Sequence, residues 1–310
     1  MADLRPILVT GAAGGVGAVG RSVVEGLRRA GVPVRAFVRR EDGRAEVLRA
    51  LGAEVVAGDL TRAADVVPAV DGCRRVFFSM SVSPDYLEAA VTMAAVVRAL
   101  GGVESCVSMS QLTVSQMTLT GRSESRQQRL HWLGEQALDW SGIPVAHIRA
   151  TVFLQHPFFT DFAAASIAAG GVIRLPFGSG RTSPVAAGDV AAVVLAVLTG
   201  AGTHAGRVYE LTGPRSQDMY GMAAEYAEAL GRPVDYVDVP FDEWLDRDLA
   251  PWDLPGHLRD HVVTMARLHA RNRYDRLTGD VELLTGRPAT SVRDYVAGSP
   301  VFRDSAAPSP

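Results

Sequence analysis

Apolar residues in the first half of the chain fall into short runs separated by longer stretches of helical periodicity. Residues 6–10 (PILVT), 33–38 (PVRAFV), 54–57, 75–79 (RVFFS), 105–109 and 145–148 read as buried strands. Between them, residues 15–30, 44–51, 63–70, 85–100 and 123–141 read as helices. The first helix carries Val16, Val19, Val23, Val24 and Leu27 on one face and ends at Gly31, and Gly52 closes the second. In the helix over 85–100, Leu87, Val91, Ala94, Ala95 and Val97 are expected inside. Strand and helix alternating at this spacing imply right-handed parallel crossovers, and so an α/β, doubly wound parallel sheet of Rossmann type.

The rhythm breaks after Thr151. A Gly/Pro-rich loop over 176–184 is followed by a helix from Val190, a strand over 208–211, and helical or irregular segments to about Val296. The expected organisation is a Rossmann domain over 1–154, which residues 189–212 rejoin. Residues 155–188 and 213–300 form a smaller substrate-side subdomain, and 301–310 a flexible tail. There is no internal repeat and no low-complexity linker.

Composition narrows the function. The chain has 310 residues, 47% hydrophobic and 21% charged, enough for a large core. A net charge of -3 leaves no electrostatic footprint for nucleic acid or an anionic membrane. The longest apolar run, 190–198, is far short of a membrane span. Residues 1–10 are too short and polar for a signal peptide, so a cytoplasmic location is expected. Cys73 and Cys106 read as reduced thiols, and no metal-ligand spacing and no Ser/His/Asp order stands out.

The chemistry starts at Thr10-Gly11-Ala12-Ala13-Gly14-Gly15-Val16-Gly17. Gly11 suits a tight turn out of the strand, Gly14 and Gly15 a close backbone approach to a pyrophosphate, and Gly17 close packing of helix on sheet. With Ala13 and Val16 they form a loop at a helix N-terminus, where free N–H groups favour an anion. The next strand ends in Arg39-Arg40 rather than an acidic residue, which suits a 2′-phosphate and therefore NADP(H) over NAD(H). Asp59, followed by Leu60, suits an adenine amino group or an N-cap for the segment from Thr61, and the two roles are compatible.

The spacing Gly11-x-x-Gly14-x-x-Gly17, the strand-end Arg39 and Gly58-Asp59-Leu60 resemble an atypical short-chain dehydrogenase/reductase. Residues 142–153 (GIPVAHIRATVF), Gly188-Asp189-Val190-Ala191, 209–214 (YELTGP) and 284–288 (LTGRP) narrow the resemblance to the NmrA-like branch. It spans roughly residues 6–298. The resemblance implies that Ser79 and Met80 lie along the cofactor. It places Ser110 after strand five and Phe153 beside the nicotinamide. Asp189 reads as a helix cap rather than a catalytic acid.

The catalytic pair departs from the superfamily. Typical members use Tyr-x-x-x-Lys on the helix after strand five, the Lys lowering the Tyr pKa. Aligned on Glu135, those positions hold Gln127 and His131, and the chain contains no lysine. His131 could relay a proton, hold a ribose hydroxyl or face solvent. His147 reads as a core histidine, and Gln155 and His156 as substrate contacts near the mouth. Tyr86 is the nearest tyrosine able to give a proton, so His131, Ser110 and Tyr86 are the catalytic candidates. The segments 113–120 and 153–162 are expected to supply an apolar mouth.

Three functions fit. The first is an NADPH-dependent oxidoreductase acting on a small apolar, quinone-like or carbonyl substrate. The second is a non-catalytic NADP(H) sensor working through a regulatory protein partner. The third is a non-redox cyclase or isomerase on the same scaffold.

Overall fold

The computed structural model describes residues 5–200 and 203–303. The strands are β1 (Ile7–Val9), β2 (Val34–Val38), β3 (Glu54–Ala57), β4 (Arg75–Phe78), β5 (Ser105–Gln111), β6 (Val145–Ala150), β7 (Val172–Leu175), β8 (Val208–Leu211) and β9 (Asp235–Asp238). The early helices are α1 (Val19–Arg29), α2 (Gly43–Ala50), α3 (Ala63–Val70), α4 (Tyr86–Leu100), α5 (Arg126–Trp140), α6 (Asp161–Gly170) and α7 (Ala187–Thr199). They are followed by α8 (Met219–Leu230), α9 (Phe241–Glu243), α10 (Gly256–Ala270), α11 (Asp280–Thr285), α12 (Val292–Gly298) and α13 (Pro300–Arg303).

Seven strands form one sheet in the order β3-β2-β1-β4-β5-β6-β8, and every pair in it is parallel. This is the Rossmann order, reversing between β1 and β4. Helices α1, α2, α7 and α11 cover one face through Val23, Leu27, Leu48, Val194 and Val281. Helices α3, α4 and α5 cover the other through Val66, Met93, Val97 and Leu138. A separate cluster holds Phe158, Phe159, Phe177, Tyr226 and Trp244, and β7 pairs with β9 beside it.

Several expectations are corrected. Helix α1 begins at Val19, after a left-handed Ala18, so Val16 stands outside the helix, 56% exposed. In α4 the buried stripe is Tyr86, Ala89, Ala90, Met93, Ala94, Val96 and Val97. Val91 and Ala95 lie on the opposite face, because steps of three and four from Tyr86 pass them by. The predicted return of the chain to the sheet also runs further: Val281, Leu284 and Ala289 pack on the first cluster, not beside Trp244. At the end, Phe302 is buried against Tyr226, with ring centroids 5.5 Å apart, so residues 301–303 are helix and not loose tail. Residues 304–310 lie outside the described residues.

Asp189 is neither helix cap nor free acid. It sits in the first turn of α7, 1% exposed, after the N-cap Ala186. Its Oδ1 pairs with Arg287 Nη1 at 2.8 Å and its Oδ2 accepts from the Thr290 N–H at 2.7 Å, fastening the C-terminal segment to α7.

Candidate active site at the strand C-termini

A cleft of about 380 Å³ opens at the C-terminal edge of β1, β4, β5 and β6. This is where open parallel sheets bind ligands, beside the reversal of strand order. Its floor is the glycine loop. Gly11 adopts φ +67° and a Cβ there would lie 2.7 Å from the Ser79 carbonyl oxygen, so the turn accepts only glycine. Gly11 O accepts from Gly14 N at 3.0 Å, closing the loop. Gly15 faces open cleft, with no atom within 4 Å of a Cβ built on it. Close packing of helix on loop belongs to Gly20, whose Cβ would meet Gly11 O at 2.7 Å. Gly17, the residue expected to do this, instead lies against Ala187 and Phe153.

Gly11, Gly14, Gly15, Val16, Ser79 and Met80 line the cleft, as Phe153 does on the β6 side. Ala13 does not line it. Its carbonyl accepts from Arg44 Nη1 at 3.2 Å. Arg39 and Arg40 are exposed just past β2, with no hydrogen bond or ion pair among the described residues. Asp59 Oδ1 accepts from the Thr61 N–H at 3.0 Å and hydroxyl at 2.8 Å, which holds its carboxyl below the usual range, and the nearby Arg39 charge adds to this. It does not cap α3, whose N-cap is Arg62. Leu60 packs on the α3–α4 cluster.

The chamber above the loop is closed by residues from the C-terminal half. Leu258, His261 and Met265 project from α10, and Tyr274 follows it. Their spacing of three and four residues on α10 is the one signal that could have found them. Four of the residues that line the chamber carry a buried side-chain atom with no hydrogen-bond partner among the described residues: Ser110 Oγ, Thr113 Oγ1, Thr151 Oγ1 and His131 Nδ1. An unsatisfied buried polar group costs about 1–3 kcal/mol. Polar residues grouped around one cavity beside a phosphate-type loop fit a polar dinucleotide and its substrate.

Among the candidate catalytic residues, His131 and Ser110 reach the chamber and Tyr86 does not. Tyr86 is 1% exposed, its hydroxyl donates to Met109 O at 3.2 Å, and burial raises its pKa. Its ring lies against His131, with centroids 3.9 Å apart, so it supports the histidine from behind. His131 is 6% exposed, which removes the solvent-facing reading. Gln127 is also off the chamber, its Oε1 accepting from Ser83 N at 3.2 Å and bonding His257 Nε2 at 2.8 Å. Of the two substrate candidates, His156 lines the chamber, but Gln155 turns away to accept from the Ala187 N–H at 3.0 Å. Of the segments expected to supply an apolar mouth, Thr113, Phe153 and His156 line the chamber, while Phe158, Phe159 and Phe162 are internal and belong to the C-terminal cluster. His147 is a core residue, bonded through Nε2 to Asp139 at 2.9 Å.

Burial favours the neutral form of His131, His156, His261 and His269. Burial pushes His131 down to about 3 and His261 down to about 4, and the neighbouring His261 and His257 respectively further disfavour a second positive charge. His156 and His269 also fall to about 3, again mainly by burial. Each starts from 6.5, so the unfolded chain takes up protons below that value while the folded chain does not. Their contribution to stability is complete above about 6.5 and is lost as pH falls toward 3–4. The melting temperature should therefore decline steadily once pH drops below about 6.5, and calorimetry across pH 7.5 to 4.5 checks it. A flat profile down to pH 5 would contradict neutral burial.

Comparison with known proteins agrees with this geometry. Residues 14–201 match the family described as NAD(P)H-binding. The chain is 32% identical over 291 residues to the (4-alkanoyl-5-oxo-2,5-dihydrofuran-3-yl)methyl phosphate reductase of Streptomyces griseus, covering 94% of this chain and 96% of that one. It is 29% identical over 287 residues to the NAD(P)H azoreductase of Xenophilus azovorans, covering 91% and 94%. The NADPH-dependent quinone oxidoreductase of Escherichia coli, solved with NADPH, superposes with a TM-score of 0.80 at 24% identity, covering 94% and 98%. NmrA, a negative transcriptional regulator solved with NADP, superposes at 0.76 with 16% identity, covering 96% and 95%. The chain belongs to the NAD(P)H-binding family and has the fold of NmrA and the atypical short-chain dehydrogenases/reductases.

Proposed function

We propose that the protein is an NADPH-dependent reductase of small, uncharged, conjugated acceptors, quinone-like or carbonyl. One observation carries this reading: the residues lining the cleft include no Arg, Asp or Glu, and the chain has no lysine. Taking an anionic substrate out of water needs a partner charge, and the chamber offers none. A neutral, largely apolar molecule suits its Met, Leu, Val and Phe walls.

When bound, NADPH supplies the hydride. The chain's own task is to hold and shield. The loop from Gly11 to Gly17 is the seat for the pyrophosphate, and Arg39 and Arg40 would hold the 2′-phosphate. Ser79, Met80 and Phe153 flank the chamber floor, and the α10 residues exclude water from it. Without the Tyr/Lys pair, acceptors whose reduced anion is already delocalised are favoured, because they ask little of a protein acid. The relatives named as azoreductase and quinone oxidoreductase support an acceptor of this kind; the relative at 32% identity is named for a phosphorylated substrate, and the charge-free lining of the chamber is the ground for proposing a neutral one here.

NADPH oxidation measured against a quinone and carbonyl panel tests the proposal. Turnover is expected with neutral members. A phosphorylated analogue of the same skeleton should fall roughly 100-fold lower in kcat/KM, because its charge finds no cation in the chamber. Tight NADPH binding with no turnover of any member would overturn it.

A further inference from the structure

The position where a tyrosine is expected holds Gln127, yet a tyrosine does reach the chamber from the other half of the chain. Tyr274 lines the cleft and is 3% exposed. Its ring stacks on His269 at 4.0 Å, and His269 stacks in turn on Phe177 at 4.2 Å. Its backbone bridges to Thr182. The side chain is thus held on both its ring and its main chain.

The N-terminus of α5 fixes the hydroxyl. Ser125 and Gln128 form a capping box: Gln128 Oε1 accepts from the Ser125 N–H at 2.8 Å, and Ser125 Oγ accepts from the Gln128 N–H at 3.2 Å. With its oxygen committed, the Gln128 amide must present Nε2 outward, and this donates to Tyr274 Oη at 3.4 Å. Tyr274 Oη is therefore an acceptor from Gln128, and its own proton meets no acceptor among the described residues. Ser125 has its one proton left for His261 Nδ1, 2.8 Å away, which leaves the His261 proton on Nε2. One capping box thus orients two donors of the chamber wall.

We propose that Tyr274 is the donor that binds the reducible oxygen of the substrate, aimed by Gln128 and standing in for the absent tyrosine of α5. The assignment rests on the reductase reading and names the group that would recognise its acceptor. Burial keeps the phenol protonated, so it serves as a donor throughout the neutral range. Gln128 acts through Tyr274 and is a positioning residue.

Tyr274→Phe keeps the ring and its stacking and removes only the hydroxyl. The probes are 1,4-naphthoquinone and naphthalene, alike in shape but differing in oxygen, titrated into protein loaded with NADP+. The wild type should prefer the quinone, and the variant should lose about five- to tenfold of that preference, the worth of one hydrogen bond. Naphthalene binding should not change. Equal weakening of both probes would make Tyr274 a packing residue and overturn the proposal. An unchanged preference, or none in the wild type, would overturn it too. In turnover, kcat/KM for the quinone should fall about 100-fold, as on loss of an oxyanion donor. If the wild type discriminates the probes but turns over no acceptor, the reductase reading fails while the Tyr274 assignment stands.

Discussion

Gly15→Leu should remove NADPH binding while leaving the fold intact. No protein atom lies within 4 Å of a Cβ at residue 15, and the residue lines the cleft at the head of the phosphate loop. A Cβ there has open space, and a leucine side chain would stand where a dinucleotide's backbone contacts must be made. Affinity for NADPH, measured by fluorescence titration, should weaken roughly 100-fold, with the melting temperature within roughly 2 °C of wild type. Gly20→Val makes the opposite case. Its Cβ would sit 2.7 Å from Gly11 O, 2.8 Å from Gly11 C and 2.9 Å from Ala12 Cα. These are backbone atoms that no rotamer change can move, so the cost is about 3 kcal/mol or more. If Gly15→Leu bound NADPH normally, the loop would not be the cofactor seat.

The contrast between these two glycines shows what a sequence reveals and what it hides. The pattern of glycines after a buried strand located the loop, because that spacing has a local cause in one turn. It could not tell which glycine is crowded, since the atoms that crowd Gly17 come from Phe153 and Ala187, far along the chain. The same limit explains the chamber. Ser110 and Phe153 were legible through the resemblance and His131 through the alignment on Glu135, and all three line the chamber. Tyr274 and His261 were not legible: the period of three and four marks one face of α10, but only the fold-back of the C-terminal half brings that face and Tyr274 to the site. Tyr86 was misread for a related reason. Its place at the start of α4 was right, but whether its hydroxyl opens to the cleft or to the Met109 carbonyl depends on how α4 packs on β5. Val91 failed more simply, since several apolar faces competed on an alanine-rich helix and only packing selects one.

Glu135→Ala should cost about 3–5 kcal/mol, the range for stripping one partner from a buried ion pair. Glu135 is 2% exposed on α5, and it takes Arg149 of β6 in a forked grip, with Nε at 3.1 and 3.2 Å and Nη2 at 2.6 Å. Alanine would leave the Arg149 guanidinium largely covered, with Glu210 at 4.0 Å and the more distant Asp139 as acidic neighbours. Desolvation without a close partner makes the cost large, where an exposed pair such as Arg21 with Glu25 would give well under about 1 kcal/mol. Urea unfolding should show a lower midpoint at an unchanged m-value. Glu135→Gln keeps an acceptor for Arg149 and should lose less. Glu135 also lies one helical turn after His131, so the pair that pins α5 to β6 holds the turn carrying the chamber histidine. The folded fraction of Glu135→Ala should therefore bind NADPH more weakly as well. A change in stability below about 1 kcal/mol would show that the pair contributes little, and that α5 is docked by its apolar contacts alone.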